Sequence, residues 1–221
     1  MGVAKFSISG NSFIGAYGIA TDSFALVGES LTARHLWSIK DNLGVEPSRV
    51  SIDGSDLIGI YAIANSSAVL LPEMAAEREI SKIKKALPGV SVKVLKTDLN
   101  ALGNNILVND KIAVVNPEYS SREARQIGDI MGVEVIKLTI GGFNTVGASN
   151  ILTNKGIVLN NRADEDDIKA VEKVVANYSQ STANLGSLSI RLSVIANSNG
   201  LIAGSDTTGF ELARITEGLG L

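Results

Sequence analysis

The chain has 221 residues, 45% of them hydrophobic and only 5% aromatic, so it is long enough for one or two domains with an aliphatic core. It contains no cysteine, which excludes disulfides, thiolate nucleophiles and cysteine–zinc sites, and its net charge of −3 disfavours a protein that relies on neutralising nucleic-acid phosphates. No apolar run is long enough for a membrane span and the N-terminus has no signal-peptide pattern, so we expect a cytoplasmic protein.

The first predicted elements are a strand and a hairpin. The alternating residues AKFSIS (4–9) predict a strand. The apolar runs FIGAYGIAT (13–21) and FALV (24–27) flank a short polar turn that begins at Thr21. Two apolar runs around such a turn predict a β-hairpin.

A helix and a further strand follow this hairpin. Leu36, Ile39 and Leu43 recur at spacings of three and four, which predicts the apolar face of a helix, and Gly44 ends it. The alternating segment SRVSID (48–53) then predicts a strand.

The same pattern returns every 44 residues. Its clearest marker is a glycine in the first apolar run, at Gly15, Gly59, Gly103 and Gly147. The fifth position of this series is Arg191, within the otherwise preserved frame SIRLSVIAN. The three helix columns are apolar in every unit, with later members Ile80, Ile83, Leu87, Ala124, Ile127, Met131, Ile168, Val171, Val175, Leu212, Ile215 and Leu219. We therefore predict five strand–strand–helix–strand units at about 11–54, 55–98, 99–142, 143–186 and 187–221.

The closing strand of the fifth unit is missing, and the N-terminal segment can replace it. VKVLKT (92–97) and IKLTIG (136–141) repeat the closing strand, QSTANL (180–185) is a weak copy, and AKFSIS lies 44 positions before SRVSID. We predict an α/β fold in which residues 1–221 form one domain, a closed five-fold αβ propeller latched by strand 1–10. The helix columns disfavour a propeller of four-stranded blades, and the latch strand disfavours an open solenoid.

Five-fold αβ rings of this shape resemble the pentein superfold, in which some members modify guanidino groups with a nucleophilic cysteine, a histidine and carboxylates. This chain has no cysteine, and its one histidine, His35, shares a repeat column with charged residues, which we interpret as a solvated helix surface. We expect no catalytic, cofactor or metal site. The acidic run ADEDD (163–167) is interpreted as a helix cap, and GGFNTVG (141–147) as a connection between two strands where no helix begins.

The segments LNALGNNILVND (99–110), NTVGASNILTNKGIVLN (144–160) and SDTTGFEL (205–212) share one register. All three are similar to the translation initiation factor six family, the anti-association factors of the large ribosomal subunit. The resemblance implies a five-fold ring that binds the intersubunit face of the large subunit, contacts an L14-type ribosomal protein near the sarcin–ricin loop, and blocks joining of the small subunit. It also implies a part in large-subunit assembly. The lack of cysteine and of a tail after Leu221 resembles the archaeal members.

The resemblance also implies a binding face. Asn104 matches an interface asparagine of the family, and Gly103 precedes it. The residues expected on this face are Asn104, Gly103, Asn105, Ile60, Ala16 and Ala148. Eukaryotic members carry arginine where this chain has Ile60, so the contact there is expected to be apolar. From the residues alone, the Asn104–Asn105 pair fits two roles equally well: a functional role, or hydrogen bonding of its side chains to nearby backbone groups. A monomer is expected, and the alternatives are a guanidino-modifying enzyme or a scaffold for another protein.

Overall fold

The computed structural model describes residues 2–172 and 175–221. The chain begins with β1 (Gly2–Phe6). The first unit contains a 3₁₀ turn at Ile14–Tyr17, β2 (Gly18–Ala20), β3 (Ala25–Gly28), α1 (Ala33–Leu43) and β4 (Pro47–Val50). The second contains α2 (Ile58–Tyr61), β5 (Ile63–Ala64), β6 (Ala68–Pro72), α3 (Glu77–Ala86) and β7 (Ser91–Leu95).

The other three units have the same element order. The third contains α4 (Leu102–Asn105), β8 (Ile106–Val108), β9 (Ile112–Val115), α5 (Ser121–Met131) and β10 (Glu134–Lys137). The fourth contains α6 (Val146–Ser149), β11 (Ile151–Leu152), β12 (Gly156–Asn160), α7 (Glu165–Glu172) and β13 (Asn177–Ser181). The fifth contains α8 (Ile190–Ser193), β14 (Val194–Asn197), β15 (Gly200–Gly204) and α9 (Gly209–Leu219).

Within the described residues, the strands form five three-stranded sheets, which confirms the predicted repeat. In each sheet, the first strand of the unit pairs antiparallel with the second across the polar turn, as β2 pairs with β3. The second strand pairs in parallel with the strand that follows the long helix, as β3 pairs with β4. The helix is the connection that a parallel pair requires, since a tight turn cannot join two parallel strands.

The fifth sheet takes its third strand from the N-terminus. β1 pairs in parallel with β15, from Gly2 opposite Gly200 to Phe6 opposite Gly204. This is the pairing that β4 makes with β3 in the first unit. The predicted substitution of AKFSIS for the missing strand is confirmed, although the strand lies about three residues earlier than its alternation suggested.

The hydrophobic core lies between successive units. One cluster joins Leu26 and Val50 of the first unit to Ile83 of the helix in the second unit. Another joins Ile202 of the fifth unit to Ile39 and Leu43 of α1. The remaining three clusters likewise combine strands of one unit with the long helix of the next. Each long helix therefore packs against the sheet of the preceding unit, and α1 packs against that of the fifth.

Three predictions about local structure are wrong. The first apolar run of each unit is not all strand, because it opens with one helical turn, and α6 begins inside the segment that was expected only to join two strands. The predicted closing strands extend too far, since β4 ends at Val50 and β13 ends at Ser181. An isolated bridge such as Ile52 with Ser55 follows instead, because a reversal with positive φ at Asp53 and Gly54 interrupts the strand.

The interpretation of the column that contains His35 as a solvated surface is also wrong. Glu79 and Glu211, which share this column, are only 4% and 5% exposed. His35 is half-buried, with its ring stacked on Phe6 at a centroid distance of 4.7 Å, and its Nδ1 accepts a hydrogen bond from the backbone N–H of Thr32. The column caps helix N-termini, a role that the charge pattern alone did not distinguish from solvation.

Candidate functional site

The predicted face lies on the short helical turns that precede the first strand of each unit. The repeated glycines pack these turns against one another. A Cβ placed on Gly103 would overlap the carbonyl oxygen of Gly59, and a Cβ on Gly59 would overlap that of Gly15. A Cβ on Gly147 would likewise overlap the carbonyl oxygen of Gly103, and one on Gly15 would overlap that of Arg191. The glycines are thus needed for close backbone approach, as expected for Gly103.

The structure places all six predicted residues on these turns but exposes few of them. Ala16, Gly103, Asn105 and Ala148 are buried, whereas Ile60 and Asn104 are half-buried. The side chains that can meet a partner from this set are therefore those of Ile60 and Asn104.

Asn105 has an internal role. It is 6% exposed, its side-chain amide donates to the carbonyl of Ala101 at 3.0 Å, and its Oδ1 accepts from the amide of Asn116 at 2.8 Å. The backbone N–H of Asn116 also donates to the carbonyl of Asn105. These bonds join α4 to the end of β9, so the Asn105 amide holds the turn in place and is not presented outward.

Asn104 has the opposite hydrogen-bonding state. Its Oδ1 is buried and has no hydrogen-bond partner among the described residues. A buried acceptor without a partner carries a desolvation cost of about 1–3 kcal/mol, which a donor supplied by water or by a binding partner would relieve. Asn105 therefore matches the alternative of hydrogen bonding to nearby groups of the chain, whereas a functional role for Asn104 stays a prediction.

Arg191 is a feature of this region that sequence reasoning missed. Its Nη1 donates to the carbonyls of Gly59 at 2.5 Å and Gly103 at 3.3 Å, so the one side chain in the glycine series reaches across to two of its glycines. Burial lowers the pKa of Arg191 to about 10, which leaves the guanidinium positively charged at neutral pH. The sequence did carry a sign of this role, because Arg191 is the one position of the 44-residue series that is not glycine.

The first strands of all five units line one inner cavity of about 50 Å³, with Arg191 in its wall. A second cavity of about 30 Å³ shares the lining residues Ala20, Ala64 and Val108 and continues to the polar hairpin turns. Those turns are bonded to each other. Asp22 accepts from the backbone and hydroxyl of Ser198, each at 2.8 Å, and Asn65, Asn109 and Asn197 donate to backbone carbonyls of neighbouring units.

The described residues contain no group of three or more histidine, aspartate or glutamate side chains arranged to hold a metal ion. The acidic run ADEDD begins α7, where Asp164 accepts from the backbone of Asp166 and Asp167, and this confirms its role as a cap. No helix in the described part of the chain is long and apolar enough to cross a membrane.

Comparison with known proteins gives a consistent family. A model described as the eIF-6 family matches residues 3–218. A translation initiation factor 6 from Picrophilus torridus is 42% identical over 67 residues, 30% of this chain and 31% of the relative. One from Methanoculleus marisnigri is 43% identical over 68 residues (30% and 31%), and one from Methanocaldococcus jannaschii is 37% identical over 70 residues (31% of each). The chain thus spans about a third of the length of these relatives in the aligned segments.

Proposed function

The chain belongs to the eIF-6 family of translation factors, and from this premise we propose that it binds the intersubunit face of the large ribosomal subunit and prevents association with the small subunit. The observation that carries the proposal is the family match over residues 3–218, which includes all five units. The proposed action is steric and not enzymatic, and it takes place in the cytoplasm. A part in large-subunit assembly belongs to the same proposal.

We propose that the five units close into a ring, which would give the factor a rigid docking face. Three contacts between the fifth unit and the beginning of the chain support closure. β1 completes the sheet of β15, Asn197 donates to the carbonyl of Thr21 at 2.9 Å, and Asp22 accepts from Ser198. These bonds involve both backbone and side chains, so they hold the two units in one register.

The proposed binding face comprises the short helical turns, with Asn104 and Ile60 as its partner contacts. The unpartnered Oδ1 of Asn104 supports this assignment because a buried acceptor gains a hydrogen bond when a partner docks. Gly103 allows the turns to pack closely beneath these contacts, and Asn105 fixes the turn that carries Asn104. Ala16 and Ala148 are buried at the equivalent positions of their own turns.

The proposed partner surface is protein-rich: an L14-type ribosomal protein near the sarcin–ricin loop of the large rRNA. The net charge of −3 supports a contact made mainly through protein, since a surface that binds through phosphates is usually basic. We propose that the factor binds as a monomer.

Sucrose-gradient sedimentation with separated archaeal subunits tests the proposal. The protein is expected to sediment with large subunits only, and to reduce the amount of joined ribosomes when small subunits are added. Protein that remains at the top of the gradient at physiological salt would overturn the proposal.

Asn104→Lys tests the binding face. We expect it to weaken large-subunit binding roughly tenfold or more while the melting temperature changes little, because the lysine stem can reach solvent from a half-buried position. Ser23→Lys adds the same charge at an exposed hairpin turn, at the other end of the first strand, and serves as the matched control.

Asn105→Ala gives the contrasting result. It leaves the Asn116 amide without its acceptor and is expected to lower stability by about 1–3 kcal/mol. A lower melting temperature for Asn104→Lys, equal to that of Asn105→Ala, would make Asn104 structural.

A further inference from the structure

The inner cavity contains a cationic group without an anionic partner. Of the described residues that line it, Arg191 alone has an ionisable side chain, and the others are glycine, alanine, valine, leucine and isoleucine. The salt bridges among the described residues all involve other side chains. Arg191 is therefore a positive charge in an aliphatic wall.

The carbonyls that Arg191 contacts leave this charge only partly compensated. A guanidinium has five N–H donors, and the hydrogen bonds to Gly59 and Gly103 both come from Nη1. A carbonyl dipole stabilises a cation but carries no net charge. Arg191 is half-buried. Withdrawing an unpaired charge from water even in part is costly, and charges in such positions are usually paired.

The cavity offers room and further polar groups for a small ion. One water requires only about 10–15 Å³ by the same measure, so a cavity of about 50 Å³ can hold a monatomic anion with a few waters. The strands β2, β5, β8, β11 and β14 each stand at the end of their sheet, paired on one side. Their free edges present backbone N–H and C=O groups, which can bind the ion and its waters.

We propose that the inner cavity binds a halide ion at Arg191, with chloride as the physiological form. A halide fits because it is monatomic, weakly hydrated compared with sulfate or phosphate, and compatible with an aliphatic lining. It would supply the counter-charge that the described side chains lack.

The carboxylates at the hairpin turns repel an anion and so confine the ion to the Arg191 end of the cavity. Asp22 and Asp110 line the second cavity, where Asn154 donates to both of them. Strands of three residues, such as β2, separate that end from Arg191, a distance of roughly 10 Å. Repulsion by these carboxylates disfavours a halide at the turns and leaves the guanidinium as the attractive centre.

Bromide tests the proposal in solution. The wild-type melting temperature is expected to rise with the logarithm of bromide concentration, compared with gluconate at equal ionic strength. Arg191→Met is expected to lose this difference. Arg49→Met is the matched control, since Arg49 also donates to a backbone carbonyl, that of Leu31, but lies outside the cavity lining, so it should keep the difference.

A crystal grown with bromide provides a readout that does not depend on the variant folding. The expected result is an anomalous peak within hydrogen-bond distance of the Arg191 guanidinium. Water alone in the cavity, in a crystal that shows bromide elsewhere, would overturn the proposal. Equal melting temperatures of the wild type in bromide and gluconate would overturn it as well.

Discussion

At the residue scale, one column of the repeat has two functions. Gly59, Gly103 and Gly147 have no side chain because the turn of the preceding unit packs a glycine carbonyl against them, and the carbonyl of Arg191 packs against Gly15 in the same way. Their φ angles are not among the positive ones, so conformational freedom is not the reason for glycine here. In the fifth unit the same position holds Arg191, whose side chain bonds to two of these glycine carbonyls.

Gly103→Ala tests the requirement for close approach. The added Cβ would overlap the Gly59 carbonyl, which is backbone and cannot rotate away, so we expect a loss of about 1–3 kcal/mol or more in the free energy of unfolding. Gly209→Ala is the control, because a Cβ there meets nothing within 4 Å. Denaturant unfolding of both variants is the measurement, and equal stability of the two would contradict the packing argument.

At the element scale, an acidic residue at the start of three of the long helices binds the end of the preceding unit. Glu79 in α3 accepts from the backbone N–H of Asp53 and Gly54 at 2.8 and 2.9 Å, and Glu211 in α9 accepts from Leu185 and Gly186. Asp167 accepts from Gly141. The carboxylate therefore caps its own helix and fixes the reversal that ends the previous unit.

His35 occupies this position in the first unit and contacts the strand that completes the fifth. Burial, together with the positive charge of Arg34, lowers the pKa of His35, although a hydrogen bond with the backbone of Ser7 acts in the opposite direction. A neutral ring can accept the hydrogen bond from Thr32, so the cap is retained without a carboxylate.

Acid should weaken the contact between the start of α3 and the end of the first unit, and Glu79 provides the test. Burial alone would raise the pKa of Glu79, but hydrogen bonds from Gly54, Ala76, Ser51 and Asp53 outweigh it and hold the pKa below the ordinary value of 4.5. Because the folded pKa is the lower one, the carboxylate contributes stability that is present above pH 4.5 and is lost as the pH falls through the folded value.

The measurement is the free energy of unfolding between neutral and acid pH. Glu79→Gln is expected to cost about 1–3 kcal/mol at neutral pH and to reduce the loss of stability in acid. Glu77→Gln, an exposed change in the same first turn, should keep the wild-type profile. If Glu79→Gln showed the same dependence of unfolding free energy on pH as the wild type, the contact between α3 and the first unit would not depend on this charge.

At the scale of the whole molecule, each core cluster of the described residues combines two units. The helix of each unit packs against the sheet before it, and α1 packs against the sheet that β1 and β15 share. The five units therefore depend on each other, and the N-terminal strand belongs in space to the last unit.

Removal of residues 1–10 tests this dependence. We expect one cooperative unfolding transition at a clearly lower temperature, because the deletion leaves β15 with a free edge and uncovers α1. Val3→Lys is the control, since that side chain is 42% exposed and the change retains the backbone pairing. An unchanged melting temperature after the deletion would contradict the role of β1 as part of the fifth sheet.

The 44-residue period by itself determined the number of units, the hairpins, the long helices and the pairing of the N-terminal strand. These features follow from the spacing of apolar residues along the chain, which recurs in each unit. Periodicity did not reveal the one-turn helices, since their apolar residues lie in short runs that read equally well as strand. The family resemblance implied the six residues of the binding face as one set, and the repeat pattern did not separate Asn104 from Asn105.

Only the tertiary structure decided which side chains of the binding face form hydrogen bonds within the protein and which can meet a partner. Asn105 finds Asn116 eleven residues away, Arg191 reaches carbonyls of two distant units, and Glu79 binds the end of the preceding unit. Partners of this kind are set by how neighbouring units pack. A sequence pattern shows which positions are equivalent, but hydrogen bonding and burial depend on the atoms that packing brings together, and these differ at equivalent positions.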